Sequence, residues 1–283
     1  MTATIAFQGQ PGAYSDLACR DVYPGMATLP CESFETAIEA VRDARATLAM
    51  LPCENSLAGR VPDIHHLLPQ SGLFVVGEHF HRVEHCLLAP HGASIEDLKR
   101  AHSHPVALGQ VRHVLRQLGL TPVVQADTAG AAALVAEWNN PEDAAIASSL
   151  AAEIHGLDIL RRNVEDAEHN TTRFYVMAPQ PSRPDPATPN LMTTFVFRVR
   201  NVPAALYKAM GGFATNGVNL TKLESYMLAG HFVATQFLCD ADGHPEQPAL
   251  RRALEELTFF SSEVRVLGVY PTAPFRQTQG AAD

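Results

Sequence analysis

Five prolines fall within the twelve residues from 179 to 190, PQPSRPDPATPN, and neither a helix nor a strand ladder survives that density. The segment reads as a stiffened linker, and the chain has a different hydrophobic rhythm on each side of it. Before it, short apolar runs alternate with helical patterns: TIAF, a helix opened by Ser15, ATLPC, a helix over SFETAIEAV capped by Ser33, and TLAML. That alternation predicts a parallel α/β unit. A second series starts at Leu73 and runs through LFVVGEHF, VEHCLLAP, a helix over VALGQVRHVLRQL, TPVV, a helix over TAGAAALVAEW, DAAIA and SSLAAEIHGL, long enough for a lobe of its own. After the linker come TTFVFRV, a helix over PAALYKAMGGFA, VNLTKLESYM, HFVATQFLC, a helix over QPALRRALEEL and VRVLGVY. This is β-α-β-β-α-β, with Leu206, Met210 and Phe213 on one helical face. From Thr272 onward the chain reads as a disordered tail.

Composition narrows the function. With 46% hydrophobic residues the 283-residue chain can bury full cores. No apolar run of about 18 residues occurs, and MTATIAFQGQ places no basic patch before an apolar stretch, so neither a membrane span nor a secretory signal is expected. A cytoplasmic location is the corresponding expectation. Cys19, Cys31, Cys53, Cys86 and Cys239 form an odd set without a CxxC pair, which fits buried reduced thiols rather than a disulfide framework. The net charge of −9 is uneven: residues 1–178 carry 12 Lys+Arg against 21 Asp+Glu, while residues 179–283 carry 9 of each. A nucleic-acid partner is disfavoured, because neither part offers a basic face. An anion bound by the first part must rely on local arginines and helix N-termini.

Several motifs then compete for chemistry. TIAFQGQPG ends a strand in glycines, but Pro11 stands where a dinucleotide fingerprint needs its second glycine, so Gly9 and Gly12 are read as a tight turn delivering Ser15 to a helix start. MLPCENSLAGRV sends an apolar strand into Glu54, Asn55 and Ser56. HSHPVALGQ sets Ser103 at a strand end, as the cap of a helix opened by Pro105, with Gln110 a little over a turn along. The pairs His79/His81 and His102/His104 lack a cysteine or carboxylate at ligand spacing, which argues against metal. Lys99 is the one lysine in residues 1–178 and sits in a charged run, so Schiff-base and pyridoxal chemistry are not expected. No G-x-S-x-G elbow occurs. NTTRF places Thr171, Thr172 and Arg173 at the mouth of the strand that Phe174 opens: a neutral hydroxyl beside a guanidinium fork.

The ordered array FQGQPGAYS, LPCENSLAGRV, SHPVALGQ, DTAGAAALVAE, AAIASSLAAEIHGLDIL and NTTRF closely resembles bacterial prephenate dehydratase, and the region after the linker resembles an ACT regulatory domain. The resemblance implies a two-lobed α/β catalytic region like a periplasmic binding protein, over residues 1–178, plus a ferredoxin-like βαββαβ α+β domain. Lobe 1 would be about 1–75 with 160–178, lobe 2 about 76–159, the linker 179–190, the ACT domain 191–272 and the tail 273–283. It implies conversion of prephenate to phenylpyruvate, with loss of carbon dioxide and water, and no cofactor. By the same resemblance Thr172 donates a hydrogen bond to the departing oxygen, and Arg173 and Asn55 complete the catalytic group. Ser15, Glu54, Ser56, Ser103, Gln110, Thr171 and Phe174 would line the substrate cleft. Glu54 raises a difficulty there, since a carboxylate near a dianion must be protonated, paired or turned away. The family's SHPQAL pattern reads Val106 here, a changed supporting contact.

For regulation, the resemblance implies L-phenylalanine as effector and a homodimer or homotetramer. Family members that sense phenylalanine usually carry GAL and ESRP segments; this chain has Ala204-Ala205-Leu206 and Glu224-Ser225-Tyr226-Met227, with Asn219 and Leu220 expected beside them. Two other readings remain open from the residues: a dehydratase preferring arogenate, which would want an acidic group facing the substrate ammonium, and a non-catalytic two-lobed binder with an amino-acid sensor.

Overall fold

The structure is a computed structural model that describes residues 3–227 and 234–279. The first residues of the expected strand HFVATQFLC, and the last four of the tail, lie outside that range. The chain divides into two compact units, Met1–Val61 with His79–Phe174, and Pro62–Glu78 with Tyr175–Asp283.

The chain opens with β1 (Thr4–Gln8), α1 (Tyr14–Val22), β2 (Ala27–Cys31), α2 (Phe34–Arg42), β3 (Leu48–Asn55) and the short β4 (Gly59–Arg60), then α3 (Pro62–Leu67) and β5 (Phe74–Arg82). These strands and β11 (Thr171–Ala178) make a sheet of order β2-β1-β3-β11-β5, with β4 on β3. β1 runs parallel to both β2 and β3, as the alternating pattern requires. Pro30 is tolerated because β2 is an edge strand. Ser33 caps α2 through a reciprocal box with Thr36. At α1 the cap differs from the expectation. The helix starts at Tyr14, Ser15 lies inside it, and buried Asp16 takes the Gly12 N–H at 3.0 Å while pairing with Arg20. Gly12 has φ +90°, and a Cβ there would stand 2.8 Å from the Ala151 Cα, so only glycine fits this turn.

The second sheet has order β10-β6-β9-β7-β8, from β6 (Cys86–Ala89), β7 (Arg100–Ser103), β8 (Thr121–Val124), β9 (Asp143–Ala147) and β10 (Asp158–Arg161). It is mixed, since β6 pairs antiparallel with β9 and β10. Its interior strand β6 and residues 144–147 of β9 are apolar throughout because both faces are covered: Leu87, Ala89, Ala144 and Ile146 point into one core, and Cys86, Leu88, Ala145 and Ala147 into another. The covering helices are α4 (Pro105–Gly109), α5 (Arg112–Leu118), α6 (Thr128–Trp138) and α7 (Ser149–His155). The single helix expected over VALGQVRHVLRQL is two. The chain breaks at Gln110, whose carbonyl accepts the Asp166 N–H at 2.7 Å, and the Asp166 carboxylate takes the freed N–H groups of Arg112 and His113 at 2.9 Å each.

The third sheet follows the linker and has order β13-β14-β12-β15, from β12 (Leu191–Val199), β13 (Leu220–Met227), β14 (Ala234–Asp242) and β15 (Ser261–Pro271), with α8 (Ala205–Thr215) and α9 (Pro248–Phe260). Strand order and element order together are ferredoxin-like. Phe195, Phe197, Phe237 and Cys239 on one sheet face pack against Ala209, Phe213, Ala253 and Leu257 of the two helices. The expected class, α/β with two sheets of a two-lobed region and a βαββαβ domain, is the class the chain adopts. All five cysteines are buried thiols outside any disulfide.

The tail corrects the expectation of disorder from Thr272. Phe275–Gln279 forms α10, and Arg276 grips Glu78 with two bonds, Nε to Oε1 at 2.6 Å and an Nη to Oε2 at 2.9 Å, while the Ala273 N–H donates to the same carboxylate. The Glu78 side chain has no solvent exposure, so the pair is worth keeping intact. Arg276→Ala removes both charge-assisted bonds from that buried carboxylate and is expected to cost about 3 kcal/mol, read as a lower urea midpoint. Ala204, at φ +62°, holds a left-handed conformation that disfavours a Cβ. Ala204→Gly is accordingly expected to stabilise the protein by roughly 1 kcal/mol in the same assay.

Candidate active site

Within the first unit a cavity of about 300 Å³ lies between the two sheets. Gln8 at the end of β1 and Gly9 after it, Pro52 and Asn55 at the end of β3, and Thr172 and Phe174 on β11 form one wall. His85, His104, Gln110, Asp127 and Thr128 come from the second sheet and its helices, and Tyr14 and Ser15 from the first turn of α1. Ligands in open α/β sheets take this position, beyond strand ends.

The orientation of the polar groups follows from one fixed point. Asn55 Oδ1 accepts the backbone N–H groups of Leu57 and Ala58 at 3.0 and 2.8 Å, which leaves no doubt which end of that amide is oxygen. Its NH2 therefore donates to Thr172 Oγ1 at 3.0 Å and Asn170 Oδ1 at 2.8 Å. Asn170 in turn donates to Gln110 Oε1 at 3.0 Å. The same oxygen lies 3.0 Å from His85 Nε2, which must carry the proton, so His85 Nδ1 is an acceptor for the Tyr14 hydroxyl at 2.7 Å. Among the donors left over at the cavity are the Thr172 O–H, whose oxygen is already accepting, and the Gln110 NH2. The Ser15 hydroxyl, also at the cavity, has no partner among the described residues.

Electrostatics hold this chain of donors in place. Burial raises the Tyr14 phenol well above its ordinary value, and the neighbouring Cys86, Glu165 and Glu84 add to it, so it remains a donor. Burial also pulls His85 below the ordinary 6.5, against opposing pulls from the Gln110 hydrogen bond and Glu165, so its imidazole is neutral at pH 7.

The sequence-derived candidates separate on this map. Thr172, Asn55, Ser15, Gln110 and Phe174 meet at the cavity. Arg173 does not line it. Side chains alternate along β11, so Thr172 and Phe174 share one face and Arg173 the other, where it is buried, bonded to Glu54 Oε1 at 2.8 Å and 5.8 Å from the centre of the Phe80 ring. The guanidinium expected beside the hydroxyl in the crevice thus stands behind the wall, and Glu54 is paired rather than turned to the ligand. Ser56 ties strand ends: its hydroxyl donates to the His169 carbonyl at 2.7 Å and accepts the Thr171 N–H at 2.9 Å. Ser103 is buried in β7 and donates to the Ile146 carbonyl at 2.6 Å, while His104 caps α4 in its place. Among the described residues the effector candidates are spread over the third sheet and its first helix. Ala204 caps α8, Ala205 and Leu206 start it, Leu220, Glu224 and Ser225 lie along edge strand β13, and Asn219 alone lines a surface pocket with Thr221, Asp242 and Gln247. Sequence reasoning missed Tyr14, His85, Asn170 and Asp127; Asn170 precedes NTTRF's threonines directly, but nothing in the sequence shows its partners 115 and 60 positions away.

Comparison with known proteins places the chain in a class and then in a family. Residues 5–182 match the family model described as prephenate dehydratase, and the chain belongs to that family. It is 64% identical over 96% of its length to a protein of Komagataeibacter europaeus named bifunctional N-acyl-homoserine lactone acylase/prephenate dehydratase, covering 97% of it. It is 41% identical to Arabidopsis thaliana arogenate dehydratase/prephenate dehydratase 2, over 94% of this chain and 72% of that one. The solved prephenate dehydratase of Arthrobacter aurescens in complex with L-Phe superimposes with a TM-score of 0.86 at 28% identity, over 99% of this chain and 98% of that one. The chain is accordingly a lyase of the prephenate dehydratase family. Among the described residues no helix is long and apolar enough to cross a membrane.

The His85 assignment has a pH signature. An imidazole of lowered pKa takes its proton after the unfolded chain does, so its contribution to stability is complete above pH 6.5 and is lost as pH falls below that value. His79, His81 and His155 are lowered as well and add to the same limb. His85→Gln is therefore expected to lose less melting temperature between pH 7 and pH 5.5 than the native protein; an equal loss would mean His85 is not buried as a neutral acceptor.

Proposed function

We propose that the chain converts prephenate to phenylpyruvate, and that the Thr172 hydroxyl, oriented by Asn55, carries the reaction. The substrate is a dianion with a ring hydroxyl. As its ring carboxylate leaves as carbon dioxide, that electron pair enters the ring and the C–O bond breaks with its pair going to oxygen. The ring becomes aromatic, and the departing hydroxide takes a proton from solvent to become water. The overall change is favourable, so the protein needs only to lower the barrier. Charge grows on the leaving oxygen, and a fixed neutral donor facing it stabilises the transition state more than the ground state. Thr172 meets this description because its oxygen already accepts the Asn55 NH2 and its proton is left for the cavity. A threonine is too weak an acid to transfer its proton at neutral pH, so its role is hydrogen bonding. Gln110 and Ser15 would orient the remaining substrate oxygens. The pair of buried Arg173 and part-exposed Glu54 would hold β11 and β3 in register behind Thr172.

The domain assignment accompanies this reading: two lobes over residues 1–178 doing the chemistry, and residues 191–272 as an ACT domain that senses L-phenylalanine and joins copies of the chain. Leu223 and Met227 stand exposed on the edge strand β13, a surface that suits pairing with a second copy. Prephenate and phenylalanine are then the small-molecule partners, in the cytoplasm.

One observation favours a second substrate. Asp127, which caps α6 through the Gly130 N–H, is the acidic residue at the cavity wall, and a carboxylate there suits the ammonium of arogenate better than the keto group of prephenate. The 64%-identical relative's acylase activity is a further assay target, although among the described residues no serine–histidine couple supports it at the cavity: His85 is engaged at both nitrogens, and no hydrogen bond joins it to Ser15.

Incubation with prephenate, arogenate and an N-acyl-homoserine lactone in separate reactions, with product identification, decides among these. Phenylpyruvate from prephenate is the expected main product, and phenylalanine from arogenate at higher kcat/KM would reverse the order. Thr172→Ala is expected to lower kcat by on the order of 10² to 10³, with a much smaller change in KM. Undiminished kcat would remove Thr172 from the mechanism. Excess phenylalanine should depress turnover, and an unchanged rate would rule out the regulatory reading.

A further inference from the structure

The first unit carries a second group of chemically capable side chains, which the cavity does not use. His79 and His81 lie two residues apart on β5, so both imidazoles project from one face of the strand. Asp21, in the last turn of α1, comes to meet them from 58 positions upstream. Spacing along the chain offers this histidine pair no carboxylate; the fold does. One ligand atom from each of the three side chains lies within 4.8 Å of the others. His81 Nδ1 is 3.0 Å from Asp21 Oδ2, and the two rings are tilted at 44° with centroids 6.1 Å apart. His79 Nε2 is buried and has no hydrogen-bond partner. A simple His81–Asp21 ion pair accounts for two of these residues and leaves that nitrogen unexplained, at a cost of about 1–3 kcal/mol.

We propose that Asp21, His79 and His81 bind a divalent transition-metal ion of the zinc type, with water completing its coordination. Two imidazoles and one carboxylate form a nitrogen-rich set that suits zinc and cobalt, whereas calcium and magnesium prefer oxygen alone. Burial holds both imidazoles below the ordinary histidine range, with His81 adding to the effect on His79, so the pair is neutral and ready to ligate at pH 7. Ligand atoms around a tetrahedral ion with ~2.1 Å bonds stand roughly 3.4 Å apart. The group must therefore contract by about an ångström, and the half-exposed Asp21 side chain, at a helix end, has the freedom to make that movement. Bound metal would tie the end of α1 to β5. The start of the same helix supplies Tyr14 and Ser15 to the cavity, and the Tyr14 ring lies 6.3 Å from that of His81.

The test is calorimetric titration of Zn2+ into chelator-treated full-length protein at pH 7, with Co2+ as the spectroscopic probe. One ion per chain is expected, with visible Co2+ bands of a low-coordinate site and no displacement by excess Mg2+. Asp21→Asn, His79→Gln and His81→Gln should each weaken binding on the order of tenfold or more. His91→Gln, at the surface pair with Asp158, should leave it unchanged. Circular dichroism of each variant separates loss of a ligand from loss of fold. Absence of Zn2+ binding by the native protein overturns the proposal, and so does stoichiometric binding that survives all three substitutions in folded variants. Neither result depends on which substrate the cavity takes.

Discussion

The Asn55 side chain is held at its oxygen by the two N–H groups of the turn that follows it, Leu57 and Ala58, and every other polar orientation at the cavity descends from that attachment. A side-chain amide can present either end to a neighbour, and only a donor of known position decides which. With the oxygen committed to backbone, the NH2 must face Asn170 and Thr172. Asn170 must then pass a proton donor to Gln110, and Gln110 must accept from His85. Each bond is ordinary in strength, but they are in series and partly removed from water, which stiffens the whole set. The Thr172 hydroxyl is left to donate toward the cavity, where the proposed reaction would need a donor.

This arrangement also accounts for how an acidic protein could hold a dianion. The first 178 residues carry an excess of carboxylates, and the obvious cation near Thr172 is spent on Glu54 behind the strand. A neutral donor set avoids a cost that a buried arginine would bring. A guanidinium facing the carboxylates would bind ground state and transition state alike, whereas in the proposed reaction hydroxyl and amide donors facing the C–O bond would act where charge appears. The Glu54–Arg173 pair then contributes rigidity. Its carboxylate and guanidinium join the last turn of β3 to the first of β11, the two strand ends that carry Asn55 and Thr172.

Much of this was legible in the residues. The proline-dense linker separates the chain where the third sheet begins, Ser33 announces its capped helix, and Pro30 and Pro122 sit in strands that prove to be edges. Period-two alternation even contained the position of Arg173, since Thr172 and Phe174 cannot share a face with it; grouping the three by adjacency hid that. What escaped the sequence depends on contacts between distant positions. The break at Gln110 is stabilised by Asp166, 56 residues on, without which VALGQVRHVLRQL would read as continuous helix. Tyr14 and His85, 71 positions apart, show nothing in their local patterns that foretells a bond. Ser103 and Ser56 carried the right chemistry, but they satisfy backbone groups. A hydroxyl beside a strand end has many such partners, and residue type alone does not choose among them.

Helix α1 connects these observations. Its first turn faces the cavity with Tyr14 and Ser15, its last meets His81 through Asp21, and the two ends are about 10 Å apart at 1.5 Å per residue. The glycine turn before it cannot be loosened by substitution, because Gly12 lies against Ala151 and its carbonyl takes the Ser148 hydroxyl at 2.5 Å. A helix fixed at its N-terminus by the second lobe's own cap residue, and at its C-terminus by groups on β5, has little freedom to tilt. An ion held at Asp21, as proposed, would therefore act on the same helix that carries the Tyr14 hydroxyl to His85. Such coupling would need no moving domain, only a short helix shared between two clusters of polar groups.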